Sequence, residues 1–282
     1  DTRLHGPQNL EQVSRIPLLG VIGKSTMDNN LVVHNSPKSA IAESFRPIRS
    51  SLQYMYKRKG KEGTKIIMVT SSVSGEGKTF CSINLATVFA LSGKKTVLVG
   101  LDLRKPKIFG DFNLNNDIGV TNYLIGHKTL EEVTFTSEVE NLDVITSGPI
   151  PPNPSELLIG EPMDTLIEEL KKQYDYIILD TPPVALVADA LELLEYADAS
   201  MYVVRQDYTK KGMLNLINDK YKKKELSNIS FLYNDYDQKG KYGYGFGYGY
   251  GSYGYGAYGN GYHENHKPKF SFVDRLGRWF KL

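Results

Sequence analysis

Six short apolar runs punctuate the chain, at residues 66–70, 96–101, 142–146, 176–179, 200–204 and 229–233. Each is nearly continuous rather than alternating, the pattern of a strand buried on both faces. Between them, residues 78–91, 164–173 and 188–196 repeat apolar positions at helical spacing and predict helices. Strands separated by helices predict an α/β fold: a doubly wound, mainly parallel sheet with helices on both faces. Ligands bind such sheets at the carboxyl ends of the strands.

Residues 1–35 read as an irregular lead-in punctuated by Gly6-Pro7, Ile16-Pro17 and Gly20. Ser36-Pro37 has the form of a helix cap followed by proline at the first helical position. The helix it predicts places Ala40, Ile41, Phe45, Ile48, Leu52 and Met55 on one apolar face. Pro47 falls inside and predicts a kink or an interruption. The main domain is expected over 36–238, a tyrosine-rich tail over 239–262 and a basic amphipathic segment over 263–282.

Composition adds bounds. With 282 residues, 40% apolar and 23% charged, the chain has room for one large α/β domain with tails. A net charge of +2 is too small to imply nucleic acid, and no nucleic-acid partner is expected. Cys81 is the single cysteine, so no internal disulfide forms, and its place just after a predicted loop suits a buried structural thiol. No run approaches the roughly 18 apolar residues of a membrane helix, and no signal peptide is evident. The opening residue is Asp1, as in a piece of a longer protein. The histidines His5, His34, His127, His263 and His266 show no metal-ligand spacing.

The densest chemistry lies in KIIMVTSSVSGEGKTF, residues 65–80. A strand leads into a Gly/Ser turn and then a helix, the order a phosphate site requires. Gly75 and Gly77 let backbone N–H groups approach phosphate oxygens with no Cβ in the way. Ser74, Gly75, Glu76, Gly77, Lys78, Thr79 and Phe80 make up the candidate loop. Lys78 would reach the β/γ-phosphates, Thr79 would offer a hydroxyl to Mg²⁺, and the helix would direct its positive end at the anion. Ser72 stands where the motif GxxxxGK[ST] has its first glycine. The plainer alternative is a flexible turn that happens to hold Lys-Thr.

Two aspartates follow apolar runs: Asp102 in VLVGLDLRKP and Asp180 in YIILDTPP. At strand ends beside a phosphate loop, such carboxylates can hold Mg²⁺ or accept a proton from an incoming hydroxyl. Taken singly, each would be a turn or cap residue. Lys78, Asp102 and Asp180 are therefore the catalytic candidates, and Thr79, Asp102 and Asp180 the metal candidates. Arg104 and Lys105 either face the phosphates or sit in a solvated loop.

The three motifs together resemble those of the bacterial tyrosine kinases, a branch of the deviant P-loop ATPases. The resemblance implies a P-loop NTPase-like fold, ATP/ADP and Mg²⁺ as cofactors, and autophosphorylation on tyrosine. Glu43, Arg46 and Arg49 in AESFRPIRSSL match the family's ExxRxxR motif, which implies ring-forming contacts between subunits, an octamer in the family's pattern. GPIPPNPSELL at 148–158 and DTPPVALVADA at 180–190 are also typical. Gly100 stands where the family's DxDxR motif has its first aspartate. The resemblance further implies a cytoplasmic domain coupled to a membrane-embedded partner in polysaccharide export, and a cognate tyrosine phosphatase.

Eight of the 19 tyrosines crowd into residues 239–262: Tyr242, Tyr244, Tyr248, Tyr250, Tyr253, Tyr255, Tyr258 and Tyr262. Glycine alternates with them, which favours a disordered tail over a strand. The segment is similar to the family's autophosphorylated tyrosine cluster, which makes these eight the phosphoacceptor candidates. A Tyr/Gly linker without phosphorylation is the alternative. Beyond it, KPKFSFVDRLGRWFKL has the make-up of a basic amphipathic helix for an anionic membrane or for the domain's own surface.

Three functions compete. The first is an autophosphorylating protein-tyrosine kinase; the second is an ATPase switch of the division-site or chromosome-positioning kind, with water as nucleophile. The third is a non-catalytic module stabilised by nucleotide. The tyrosine tail and ExxRxxR favour the first, while Gly100 keeps the third in play.

Overall fold

A computed structural model of the protein describes residues 1–184 and 189–237. The expected tyrosine tail, with its eight acceptor candidates, and the segment 263–282 lie outside the described residues. Strands β1 (Leu18–Gly23), β2 (Lys65–Ser71), β3 (Thr96–Gly100), β4 (Phe135–Thr136), β5 (Leu142–Ile145), β6 (Tyr176–Asp180), β7 (Ala199–Arg205) and β8 (Ile229–Tyr236) form one sheet. Its order is β1-β8-β7-β2-β6-β3-β5-β4. All neighbours are parallel except the β4–β5 pair.

The unbroken hydrophobicity of the strands has a direct cause. In β2, Ile67 and Val69 face one core cluster, while Ile66 and Met68 face another on the opposite side. The helices Ala40–Arg58 and Lys78–Ala90 cover the first face, and Glu161–Lys171 covers the second. From β2 the chain runs outward to β3 and β5, returns to β6 between β2 and β3, then continues beyond β2 through β7 and β8. That reversal around β2 puts the turn after β2 at the carboxyl ends, where sheets of this kind bind ligands. Among the described residues no helix is long and apolar enough to cross a membrane.

The lead-in is more ordered than its sequence suggests. Pro7–Val13 is helical, and β1 extends the sheet by pairing with β8 at Leu18↔Phe231 and Val21↔Tyr233. Gly20 is not loop punctuation: a Cβ there would stand 2.6 Å from Ile48 Cδ1, so glycine lets the Ala40–Arg58 helix lie on the strand. That helix starts later than expected. Ser39, not Ser36, caps it, accepting a hydrogen bond from the Ala42 N–H at 3.2 Å.

Pro47 does not interrupt this helix, which is helical from Ala40 to Arg58. Proline removes the donor to the Glu43 carbonyl, at a cost of about 3 kcal/mol. Phe45, Ile48 and Leu52 are fully buried on the sheet. Each contributes roughly 1.5–3 kcal/mol by leaving water, and together they outweigh the lost bond.

Candidate active site

β2 ends at Ser71, and the chain turns through residues 72–77 into the Lys78–Ala90 helix. Gly75 and Gly77 have φ of 95° and 93°, values that side chains with a Cβ rarely adopt. Gly77 is the N-cap and offers no side-chain hydrogen bond, so the first N–H groups of the helix remain available to an anion. Ser72 does not need to be glycine. Its φ is not positive, its side chain is buried, and its hydroxyl accepts a hydrogen bond from Tyr202 at 3.0 Å.

Behind the loop the structure brings together the three catalytic candidates. Lys78 Nζ donates to Asp102 Oδ2 at 3.2 Å and to Asp180 Oδ1 at 3.5 Å. Burial opposes the charge on Lys78, but Asp180 and then Asp102 outweigh it and raise its pKa above the ordinary value. Thr79 Oγ1 donates to Asp180 Oδ2 at 2.9 Å, and Ser82 Oγ to Asp180 Oδ1 at 3.1 Å. Burial lifts the Asp180 pKa, against the pull of Lys78 and Thr79. Asp180 closes β6 at the level of Val69 on β2 and Gly100 on β3.

The two carboxylates differ. The side chain of Asp180 is 3% exposed and that of Asp102 13%. Asp102 also accepts the Lys105 N–H at 3.2 Å, which fixes the turn after β3. Arg104 donates from Nη2 to Ser155 Oγ at 2.8 Å. A Cβ at Gly100 would crowd the Ser147 hydroxyl at 2.9 Å, and that hydroxyl donates to the Gly100 carbonyl at 2.9 Å.

The Glu76 side chain is fully buried, accepting from the Val73 N–H at 2.9 Å and from the Thr209 hydroxyl. Only its backbone can serve a phosphate. Phe80 leans on Phe45, with ring centroids 6.3 Å apart. Cys81 is buried and free, and burial pushes its thiol pKa up.

Mg²⁺ characteristically binds through one or two carboxylates, a hydroxyl and substrate phosphates rather than a full protein cage. The Thr79 hydroxyl bonded to Asp180 beside an uncapped helix start fits that donor set. Among the described residues no cluster of three or more His, Cys, Asp or Glu offers a rival cage.

The ExxRxxR residues do not share one surface. Glu43 and Arg46 pair with each other on the exposed side of the helix, and Arg46 also donates to the Pro37 carbonyl at 3.0 Å. Arg49 points inward, donating to the Val88 carbonyl at 3.2 Å. Sequence reading also missed Ser82, Ser147, Arg205, Tyr208, Thr209 and Asn234. Ser82 was recoverable, since it lies one helical turn beyond Lys78 on the same face. The others come from distant strand ends and carry no local signal. Beside the loop, Arg205, Gln206, Tyr208, Asp235 and Asp237 help line a cleft of about 470 Å³.

A family model described as an AAA domain matches residues 64–231. The tyrosine-protein kinase YwqD of Bacillus subtilis is 41% identical over 187 residues, 66% of this chain and 78% of that protein. The kinase domain of the Escherichia coli tyrosine kinase ETK superposes with a TM-score of 0.75 at 30% identity, covering 87% of this chain and 100% of that one. A crystal structure of the chimerical protein CapA2B2 gives a TM-score of 0.75 at 33% identity, over 83% of this chain and 100% of the other.

Proposed function

The chain belongs to the bacterial tyrosine-protein kinases, and on that premise we propose that it transfers the γ-phosphoryl group of ATP to tyrosines of its own tail. The observation that carries this reading is the Lys78–Asp102–Asp180–Thr79 cluster at the mouth of a glycine loop. Loop N–H groups and Lys78 hold the β/γ-phosphates, and Lys78 exchanges its carboxylate partners for phosphate oxygens. Thr79 and Asp180, with Asp102 beside them, would hold Mg²⁺, which supplies charge neutralisation of the phosphates.

Asp102 is the more exposed carboxylate and takes the proton of the attacking phenol. The bond between the phenol oxygen and the γ-phosphorus forms as the bond to the β-phosphate oxygen breaks, and ADP leaves. Acceptors are the tyrosines of 242–262, presented by neighbouring subunits of a homo-oligomer in which Glu43 and Arg46 contribute contacts. By the family resemblance we further propose a ring held beside a membrane-embedded partner, on the cytoplasmic side, acting in polysaccharide export and reversed by a tyrosine phosphatase.

Intact-mass measurement after incubation with Mg-ATP tests the reading. Stepwise phosphate additions that vanish when the tail tyrosines are replaced by Phe are expected. ADP formation without added mass would favour an ATPase switch, and neither change would favour a non-catalytic module.

A further inference from the structure

Three consecutive carbonyls of the phosphate loop are each held from outside by a side chain 130 to 158 residues downstream. The Tyr208 hydroxyl donates to the Ser74 carbonyl at 2.9 Å, Arg205 Nη1 to the Gly75 carbonyl at 2.9 Å, and Asn234 Nδ2 to the Glu76 carbonyl at 3.1 Å. A fourth tie joins the Thr209 hydroxyl to the Glu76 carboxylate. All four come from the ends of β7 and β8, on one side of β2.

Direction follows from peptide geometry. No cis bond occurs among the described residues. In a trans peptide the carbonyl and the following N–H point in opposite directions. Carbonyls of residues 74–76 drawn towards β7 and β8 therefore turn the N–H groups of Gly75, Glu76 and Gly77 the other way. That is the side of β6 and β3, where Asp180 and Asp102 stand.

The holding groups are themselves fixed. Arg205 forms an ion pair with Asp235 at 2.8 Å, and its guanidinium lies 5.5 Å from the centre of the Tyr208 ring. Thr209 accepts the Arg205 N–H at 2.8 Å through its hydroxyl, and its carbonyl accepts the Leu4 N–H at 2.9 Å. The loop glycines meet this arrangement closely. A Cβ on Gly75 would stand 2.8 Å from the Tyr208 hydroxyl, and one on Gly77 would collide with the Asn234 amide. Both glycines therefore admit the downstream side chains as well as the phosphates.

We propose that Tyr208, Arg205 and Asn234 are positioning residues: a clasp that sets the phosphate-binding N–H groups of the loop before nucleotide arrives. It rests on the nucleotide-binding reading above. A loop whose amides already converge does not have to order itself during binding, so the clasp appears in nucleotide affinity as well as in rate. Without it, the peptides at 74–76 can rotate their carbonyls towards the phosphates and repel them.

The test uses the full chain with Tyr208→Phe, which keeps the ring and removes only the hydroxyl, and with Asn234→Ala. Amide hydrogen exchange over residues 72–80 is followed in nucleotide-free protein, with ADP affinity, adenosine competition and the unfolding midpoint measured alongside. Each variant should accelerate exchange in the loop, leave β2 and the Lys78–Ala90 helix protected, and weaken ADP about three- to tenfold. Adenosine competition should stay at the wild-type level, since the loop handles only phosphates.

Unchanged loop exchange with unchanged ADP affinity would overturn the clasp. So would an equal loss of adenosine and ADP affinity, which would make Tyr208 a contact to the base, or exchange rising across the whole sheet. Asn234→Ala is the riskier variant for folding; Tyr208→Phe leaves the packing intact and decides the matter alone. A wild-type protein that bound ADP without ever phosphorylating tyrosine would sink the kinase reading and leave the clasp standing.

Discussion

The Ser147 hydroxyl stands 2.9 Å from the position a Cβ would take on Gly100, with the Ser147 backbone nitrogen and Ile108 Cδ1 each at 3.2 Å. An acid at position 100 would have to enter space that another side chain already fills. The glycine and the serine form one packing unit, and Asp102 follows directly from it, since Ser147 also lies 3.4 Å from the Asp102 carbonyl.

Gly100→Asp should therefore lower activity and destabilise the fold by about 1–3 kcal/mol through overpacking. Adding Ser147→Gly should recover part of both. Urea unfolding and phosphorylation rate measured on the single and double variants check this. A fully stable, fully active Gly100→Asp protein would contradict the packing argument.

Lys78→Met should abolish tyrosine phosphorylation. It removes the cation that Asp102 and Asp180 share and leaves the two carboxylates without compensation. Breaking a buried pair by deleting one partner costs about 3–5 kcal/mol. Circular dichroism of the folded variant, together with phosphotyrosine detection, separates lost chemistry from lost structure.

The two aspartates should fail differently. Asp102→Asn should keep ADP binding and lose roughly 10²–10⁴ in rate, the range of a general base. Asp180→Asn disturbs the partner of Thr79, Ser82 and Lys78, and should also weaken the Mg²⁺-dependent part of ADP binding. Calorimetric titration with and without Mg²⁺, beside single-turnover rates, reads the split. Identical profiles would undo the division of roles.

Glu76 provides a pH test. Burial raises its pKa above the ordinary 4.5, ahead of the lowering effect of Thr209 and Val73. Between 4.5 and the raised value the native state binds more protons than the unfolded state, so this group's contribution falls as pH rises. The unfolding free energy of wild type minus that of Glu76→Gln should therefore decline from pH 4 upward through that window. A flat or rising difference would mean that Glu76 is not desolvated in the folded protein.

Arg46 and Arg49 should also separate. Arg46→Glu replaces an exposed cation and should shift the assembly towards monomer with little loss of stability, read by light scattering. Arg49→Glu would place a carboxylate opposite the Val88 carbonyl and should destabilise the chain itself. For transfer between subunits, a Lys78→Met chain with an intact tail is mixed with an active chain whose tail tyrosines are Phe. Phosphate on the inactive chain is the expected result; an unmodified inactive chain would remove the trans mechanism.

Much of the fold was legible because its signals are local. Continuous apolar strands, the glycine loop and aspartates directly after two strands each lie within a dozen residues, and the sheet order then carries Asp102 and Asp180 to the same end as Lys78. β1 was not legible. Its run is short, broken by Gly20, and acquires meaning only from pairing with β8 and from the Ile48 side chain above it. The interruption expected at Pro47 does not occur: its local penalty is real, but burial of the neighbouring apolar face exceeds it.

By itself the sequence determined which atoms can meet a phosphate, because glycine, lysine and threonine at fixed spacing set backbone freedom, charge and hydroxyl placement within a single turn. Only the tertiary structure decided what those atoms lean on. Glu76 turns inward to Thr209, Arg49 turns to Val88, and Tyr208, Arg205 and Asn234 reach the loop carbonyls from two other strands. Such choices depend on which distant donors the sheet brings within hydrogen-bonding distance and on where burial leaves a polar group in need of one. Neither quantity exists until the strands have paired.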